Sequence, residues 1–168
     1  MAFELDWTDA LPETPTLEHC FSVLLRFPEG PRSRFLPAFM GFNRGYVAVE
    51  SGEVTGPKLQ GRVVPRSGGD WPRLWPSGLI EFEAHYMMEA SDGTPIYIRN
   101  MGIAYASPET IRRIEAGETV PPEEMPYLRV TPRFEVPAGP HEWLARTMFI
   151  GTAERKGNQT QFEYYAVR

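Results

Sequence analysis

The chain lacks several features that would point directly to a function. It has one cysteine among 168 residues, Cys20, so no internal disulfide can form and no cysteine-rich zinc site is available. Basic residues are also few, since 17 Lys and Arg against 22 Asp and Glu give a net charge of -5. They are scattered along the chain, which argues against a nucleic-acid partner. A single cysteine is typical of a reducing compartment, and we expect a cytoplasmic protein.

Long hydrophobic runs and familiar cofactor motifs are missing as well. No segment approaches the roughly 20 apolar residues of a membrane helix, and the acidic first residues do not resemble a secretory signal. We therefore expect no membrane association. The sequence has no dinucleotide fingerprint, no glycine-rich phosphate loop, no nucleophile elbow and no His-x-His metal pattern. We expect neither a cofactor nor a metal, although Glu83, His85 and His141 remain a formal metal set with little support from their spacing.

What the chain does contain is a series of short alternating segments separated by glycine and proline. Residues 1–16 are acidic and without period, which predicts an N-terminal arm, and residues 17–168 are predicted to form a single β domain. One helix is expected, with Ser107 as N-cap, Pro108 in the first turn and Gly117 just past the end. Many short strands with one brief peripheral helix favour an antiparallel barrel or a strongly bent sandwich.

Two tight turns allow strand pairing to be predicted by counting. Asp92-Gly93 reads as a two-residue hairpin turn, because both turn positions need positive φ. Side chains alternate between the faces of a strand, so the pairs fall into two sets. One face then pairs His85 with Asn100, Glu83 with Gly102 and Met87 with Ile98. The reverse face pairs Met88 with Tyr97, Tyr86 with Arg99 and Phe82 with Ile103.

The second turn, Gly157-Asn158, sets Lys156 opposite Gln159. Counting back from it predicts one face that combines large rings with small residues, which suits either a core or a cavity wall. That face holds Phe149, Gly151, Ala153, Phe162, Tyr164 and Ala166.

Several sequence blocks together resemble domain-of-unknown-function family 3237, also called the UPF 0311 group. The blocks are Gly56 to Gly61, Gly68-Gly69-Asp70-Trp71, Phe82 to Tyr86 with Asp92-Gly93 and Asn100-Met101-Gly102, and Tyr127 to Glu135 with Trp143-Leu144. The resemblance implies a single antiparallel β-barrel, up-and-down and calycin-like, with a central cavity and no established biochemical role. The chain departs from the usual Asp-Ala-Arg-Tyr pattern of that family, because Glu83 and His85 replace its acid and arginine.

Glu83 and His85 are the main catalytic candidates. They lie two residues apart on one strand, so their side chains point the same way, and a carboxylate beside an imidazole tunes it for proton transfer. Asn100, opposite, could hold a carbonyl or oxyanion by its amide. The alternative is a half-solvated sheet on which these residues only face water.

Asp70 and Trp71 follow a glycine pair that could place a carboxylate and an indole over the mouth of the barrel. Asp70 is then a candidate second acid, and Trp71 and Trp143 are candidate walls for a ring. Trp71 could equally be a plug, with Asp70 accepting turn hydrogen bonds. Further substrate-binding candidates are Met87, Tyr97 and Arg129, although Tyr97 falls on the face opposite His85.

Together these residues predict a cofactor-independent isomerase or lyase that moves a proton on an apolar, carbonyl-bearing ring compound inside the barrel. The alternative is a noncatalytic barrel that binds a small apolar or aromatic metabolite. A homodimer is a third possibility, since the apolar reverse face of the central hairpin needs cover.

Overall fold

The computed structural model describes residues 13–30, 33–125 and 127–168, and residues 1–12 of the predicted arm lie outside the described residues. The strands are β1 Leu17–Arg26, β2 Ser33–Pro37, β3 Asn43–Val49, β4 Ser51–Thr55, β5 Gly61–Val63, β6 Gly68–Asp70, β7 Arg73–Leu74, β8 Leu79–Ala90, β9 Pro95–Tyr105, β10 Tyr127–Glu135, β11 Phe149–Lys156 and β12 Gln159–Val167. The helices are α1 Pro108–Glu115, α2 Trp143–Arg146 and a 3₁₀ turn at Pro122–Glu124.

The strands form a closed antiparallel barrel, as predicted. Pairing runs in the order β4, β5, β8, β9, β10, β11, β12, β1 and back to β4, so eight strands close an up-and-down barrel. The short strand β3 extends the line of β4, and β6 and β7 extend the line of β5. Both β6 and β7 pair with β3 on one side and with β8 on the other. The tight approach of β6 to β8 requires glycine, because a Cβ on Gly68 would lie 1.8 Å from the His85 carbonyl oxygen.

The final hairpin has the predicted register and supplies the packed half of the barrel core. Lys156 pairs with Gln159, and Phe149, Gly151 and Ala153 pair with Ala166, Tyr164 and Phe162. Phe149 and Tyr164 are almost fully buried, and Phe21 and Phe134 pack against them with ring centroids 5.2 to 6.3 Å apart. Edge-to-face contacts of this kind stabilise a core beyond simple area burial.

The predicted helix is present and covers one end of the barrel. The Ser107 hydroxyl accepts a hydrogen bond from the Thr110 N–H at 3.1 Å, Pro108 is in the first turn, and Gly117 follows the end with φ +83°. Ile111 packs against Leu74, Ile80, Ala104 and Ala106 at this end. The four-residue helix α2 was not predicted.

The central hairpin differs from the predicted register by one residue. Its loop has three residues, since the Gly93 N–H bonds to the Ala90 carbonyl and the Ala90 N–H bonds to the Thr94 carbonyl. Gly93 takes φ +86°, which suits a type I turn followed by a left-handed residue. The pairs are therefore His85 with Arg99, Tyr86 with Ile98, Met87 with Tyr97, Ala84 with Asn100, Glu83 with Met101, Met88 with Ile96 and Phe82 with Gly102.

This shift changes which residues share a face, because side-chain direction alternates along a strand. Tyr97 lies on the same face as His85, whereas Asn100 lies on the opposite one. The proposed pairing of Tyr86 with Arg99 was also wrong. Tyr86 and Met88 are 1 % and 0 % exposed inside the barrel, so the predicted dimer face is the interior wall.

Pro132 lies in a part of β10 that pairs with a strand on one side only, as a proline inside a strand requires. β10 pairs with β9 along its whole length, but its pairing with β11 is limited to Arg129 and Val130. Pro132 lies beyond that short stretch, where its missing N–H interrupts no ladder with β11.

Near the start of the described chain, Thr16 exchanges backbone hydrogen bonds with Arg168 and extends the β1–β12 pairing by one residue. No helix in the described ranges is long and apolar enough to cross a membrane.

Candidate functional site

The residues predicted to form one site lie on the two faces of the same part of the barrel wall. Strands β6, β8 and β9 are neighbours there. Asp70 and Asn100 border the interior, whereas Trp71, Glu83, His85 and Tyr97 belong to the outer face. The expectation that Glu83, His85 and Asn100 share one enclosed hollow was wrong, because it depended on the two-residue turn.

The inner residues form a row across three strands. Ala84 on β8 pairs with Asp70 on β6 and with Asn100 on β9, so all three side chains point inward. Neighbouring strands are about 4.8 Å apart, which places the Asp70 and Asn100 Cα atoms roughly 10 Å apart. The small side chain of Ala84 leaves space between a carboxyl group and an amide.

Asp70 is the unusual acid of the barrel. Loss of hydration by burial raises its pKa to about 6, against an opposing effect of the backbone N–H groups of Glu83 and Trp71. The Glu83 N–H donates to Asp70 Oδ1 at 3.0 Å. The nearby Glu83 charge raises the pKa further and the Arg44 charge lowers it. Asp70 keeps some accessible surface because it borders the cavity, but protein atoms surround the rest of it.

Asn100 supplies a buried polar group beside that acid. It is 2 % exposed, its Nδ2 donates to the Tyr164 hydroxyl at 2.9 Å, and its Oδ1 has no partner among the described residues. A tyrosine hydroxyl both donates and accepts, so either end of the amide can bond to Tyr164 and leave the other free. Asn100 thus keeps one polar end of its amide unpaired inside the wall that borders the cavity.

Tyr86 completes this polar group from β8. Its hydroxyl lies close to that of Tyr164, and burial raises the pKa of both phenols above the usual value. Both side chains therefore stay neutral at physiological pH. Asp70 is the group in this cluster that can change its charge near neutrality.

The cavity itself is small and mainly apolar. Its volume is about 210 Å³, between the wall that carries Asp70 and Asn100 and the chain that covers the barrel end near α1. Apolar side chains from both parts border it, including Val49, Phe82, Met125 and Phe162. A cavity of about 150 Å³ can hold benzene, so one substituted ring fits here.

The outer face holds the other half of the predicted site. The His85 Nδ1 hydrogen-bonds to the Tyr97 hydroxyl, and His85 Nε2 lies 3.7 Å from Glu83 Oε1. Arg99 donates to Glu83 Oε1 at 3.2 Å. The Trp71 ring lies edge-on to His85 with centroids 6.0 Å apart. Glu83 and His85 side chains are each about 30 % exposed, so they are partly covered but open to water.

The remaining predicted binding residues lie apart from both groups. Met87 is half-buried opposite Tyr97 on the outer face. Trp143 begins α2 and packs on Phe149 at 5.7 Å as part of the core. Arg129 lies over the exposed ring of Tyr127 at 5.2 Å, and His141 bonds to Asp92. In the described ranges no three His, Cys, Asp or Glu side chains group as metal ligands, and His141 is not near the Glu83–His85 pair.

Sequence reasoning missed the role of Tyr164 and Ala84. Tyr164 was placed correctly on the inner face of the last hairpin, but nothing local indicated that its hydroxyl meets an amide 64 residues away. The sequence did not single out Ala84. Its position between Asp70 and Asn100 depends on the pairing of three strands.

The chain is similar in sequence to known proteins. The family described as "Protein of unknown function (DUF3237)" matches residues 15–167. The chain belongs to this family. A DUF3237 relative of the UPF0311 group, RPA1785 from Rhodopseudomonas palustris, is 32 % identical over 156 residues, which cover 92 % of this chain and 99 % of that protein. The resemblance seen in the sequence blocks is thereby confirmed.

Solved structures share the DUF3237 barrel. A protein of unknown function from Clostridium acetobutylicum matches with a TM-score of 0.82 and 26 % identity, covering 94 % of this chain and all of that one. A structure described as an enzyme from Penicillium herquei matches with a TM-score of 0.67 and 20 % identity, covering 95 % and 99 %. The second likeness shows a shared fold alone.

Proposed function

We propose that the barrel interior binds a small, mainly apolar ring compound bearing a carbonyl group, and that Asp70 transfers a proton on it without a cofactor. The observation that carries this proposal is a carboxyl group with a pKa of about 6 at the edge of an apolar cavity, one small residue away from an amide with a free polar end. An acid that titrates near neutral pH can serve as both base and acid in one cycle.

The inner residues suggest how such a step would proceed. The Asp70 carboxylate removes a proton from the carbon next to the carbonyl, and the electron pair moves to the oxygen to give an enolate. The Asn100 NH₂, with the amide turned so that its oxygen accepts from Tyr164, donates to that oxygen. Neutral Asp70 then returns the proton at another carbon, which is an isomerisation, or the enolate expels a leaving group, which is a lyase reaction.

Glu83, His85 and Tyr97 were expected to take part but have no role in this mechanism. Glu83 and His85 face away from the cavity, so we assign the proton transfer to Asp70 alone and the oxygen contact to Asn100 instead of Tyr97. The description of the Penicillium herquei neighbour as an enzyme is compatible with catalysis on this fold but names no reaction.

Hydrogen exchange in D₂O tests the proposal without knowledge of the natural substrate. Cyclohexanone and 1-tetralone, incubated with the protein, should gain deuterium next to the carbonyl faster than in buffer. The rate should rise with pH, reach half its maximum at about pH 6 and level off about one pH unit higher, since the carboxylate is the base. Asp70→Asn should reduce the rate by about 100-fold or more, the usual contribution of a positioned base.

Glu83→Gln is the matched control, because it removes the neighbouring carboxylate on the outer face. The Glu83 charge contributes to the raised pKa of Asp70, so the rise in rate should move to slightly lower pH, while the rate on the plateau should stay at the wild-type value. Exchange that survives in Asp70→Asn would refute the assignment of the base.

The second candidate function is noncatalytic binding of the same class of molecule. It is favoured by the hydrogen bond from the Glu83 N–H to Asp70, which gives the carboxylate a structural role in joining β6 to β8. Saturable binding of both ketones without any enhanced exchange, in wild type and Asp70→Asn alike, would select this function.

A further inference from the structure

The outer face of the wall carries a second polar cluster that the barrel chemistry does not use. A depression there is bordered by Arg44, Trp71, Glu83 and His85, with Tyr46 packed on Trp71 at a centroid distance of 5.3 Å. Asp70 and Trp71 are neighbours in sequence but point to opposite sides of the wall. The outer depression is therefore separate from the cavity, although the Glu83 and Arg44 charges act on Asp70 through the wall.

The indole of Trp71 forms the flat part of this depression. Trp71 is 39 % exposed and Tyr46 is 38 % exposed, although both rings are large and apolar. Their positions are fixed from below: Tyr46 lies over Gly69, where a Cβ would come within 2.8 Å of the ring, and Arg44 donates to the Trp71 carbonyl at 2.7 Å. The cluster thus exposes to solvent an aromatic surface whose position is fixed by neighbouring residues.

Polar groups of both kinds surround that surface. The hydrogen bonds within the described chain use one carboxylate oxygen of Glu83, which leaves Oε2 as an acceptor. His85 is held through Nδ1 by Tyr97, and its Nε2 is 3.7 Å from Glu83, too far for a hydrogen bond. The guanidinium of Arg44 has five N–H groups, of which the Trp71 carbonyl takes one. The rim therefore offers an acceptor and donors next to an apolar face.

We infer that this depression binds a saccharide. The site is too open to bury an apolar ligand, so its occupant must remain partly hydrated. It must also have one apolar face for Trp71 and groups at its edge that both donate and accept. A pyranose ring meets all three requirements, because its axial C–H groups form an apolar face and its hydroxyls at the rim each donate and accept. An anionic ring compound would satisfy Arg44 but would be repelled by Glu83.

Nuclear magnetic resonance on the full chain tests this inference. The indole N–H signal of Trp71, assigned with Trp71→Phe, is followed while glucose, galactose, mannose, N-acetylglucosamine and their β-linked disaccharides are added one at a time. At least one sugar should shift this signal saturably, with a Kd of about 1 mM, and leave the Trp143 signal in place. Benzoate, added as the anionic ring probe, should not.

Variants distinguish specific binding at this depression from nonspecific contact. Trp71→Ala and Glu83→Gln should each weaken the binding by roughly tenfold, while Trp71→Phe should retain most of it because it keeps a ring face. Binding to the two Trp71 variants, which lack the indole, is followed by the backbone amide signals of Arg44 and His85. Trp143→Phe is the control for a tryptophan elsewhere, and the amide spectrum of each variant reports whether it folds. The inference is overturned if no sugar shifts Trp71, if benzoate binds in preference, or if Glu83→Gln binds sugar as well as wild type. Asp70→Asn should bind it unchanged, which keeps this result independent of the proposed function.

Discussion

The two faces of the β6–β8–β9 wall use similar residue types in different surroundings. On the inner face, Asp70 lies beside an apolar cavity, and the loss of hydration raises its pKa to about 6. On the outer face, Glu83 directly precedes Ala84 on β8. The Glu83 carboxylate contacts Arg99 and is open to water. Two acids within one patch of sheet thus have different chemistry because alternate residues face different solvents.

This difference shows why the position of a carboxylate in the sheet matters more than its presence in a motif. The outer acid has the Arg99 guanidinium at 3.2 Å and is partly exposed to water. The inner acid has only two backbone N–H groups and a partly distant Arg44 to offset its burial. The sequence places Asp70, Glu83 and His85 in one neighbourhood, but the barrel wall divides them between the two environments.

The largest expected effect is on the pH dependence of stability, and it belongs to the inner face. The pKa of Asp70 is raised from 3.8 to about 6 on folding, so between these pH values the folded state binds the proton more tightly than the unfolded state. The free energy of unfolding therefore falls as pH rises through this window. The difference of about 2 pH units corresponds to a loss of up to about 3 kcal/mol, which is complete above about pH 6.

Urea unfolding of wild type and Asp70→Asn at several pH values from 4 to 8 measures this effect. Asn can still accept from the Glu83 N–H but cannot be charged, so the variant should lack the fall and should exceed wild type in stability at pH 8. Glu83→Gln on the outer face removes one of the weaker causes of the raised pKa, so it should keep most of the wild-type fall. If Asp70→Asn shows the same pH dependence as wild type, the contrast between the two faces is lost.

The next effect in size compares two adjacent tyrosines of β12. Tyr164→Phe removes the hydroxyl that pairs with Asn100 Nδ2 in the interior, which leaves a buried donor unsatisfied and should lower the free energy of unfolding by about 2 kcal/mol. Tyr165 points to the other face and packs on His19, so Tyr165→Phe should cost less than about 0.5 kcal/mol. Denaturant unfolding at constant pH compares them, and equal losses would mean that the Asn100 contact does not stabilise the barrel.

The contrast between the two hairpins shows how far the sequence could lead. Gly157-Asn158 fixed its own register because a two-residue turn was the correct choice, and the inner rings Phe149 and Tyr164 followed from it. Asp92-Gly93 has the same appearance, but the loop includes Ser91 and only Gly93 takes positive φ. Whether a loop has two or three residues depends on the twist and packing of the strands it joins, which the loop residues do not encode.

The candidate site was predictable in its members and not in its arrangement. The helix cap at Ser107 rests on a local physical requirement and was found, whereas Asp70 and Trp71 lie on opposite sides of the wall and not together over the barrel mouth. Asn100 and Tyr97 exchanged faces because a shift of one residue reverses every side chain of a strand. The meeting of Asn100 with Tyr164 requires closure of the barrel, for which no local signal exists.

The smallest expected effect concerns His85, and it tests whether the faces act independently. His85→Ala removes contacts to Tyr97 and Trp71 on a partly exposed surface, so the free energy of unfolding should fall by only about 0.5 kcal/mol. The affinity for 1-tetralone in the barrel, measured by titration calorimetry, should stay at the wild-type value, because among the described residues His85 contacts side chains of the outer face. Ala84→Val is the comparison on the inner face, since two added methyl groups enter the gap between Asp70 and Asn100 and should weaken that affinity by roughly tenfold. A loss of 1-tetralone binding in His85→Ala would instead show that the wall transmits changes from one face to the other, and the outer cluster would then have to be treated as part of the inner site.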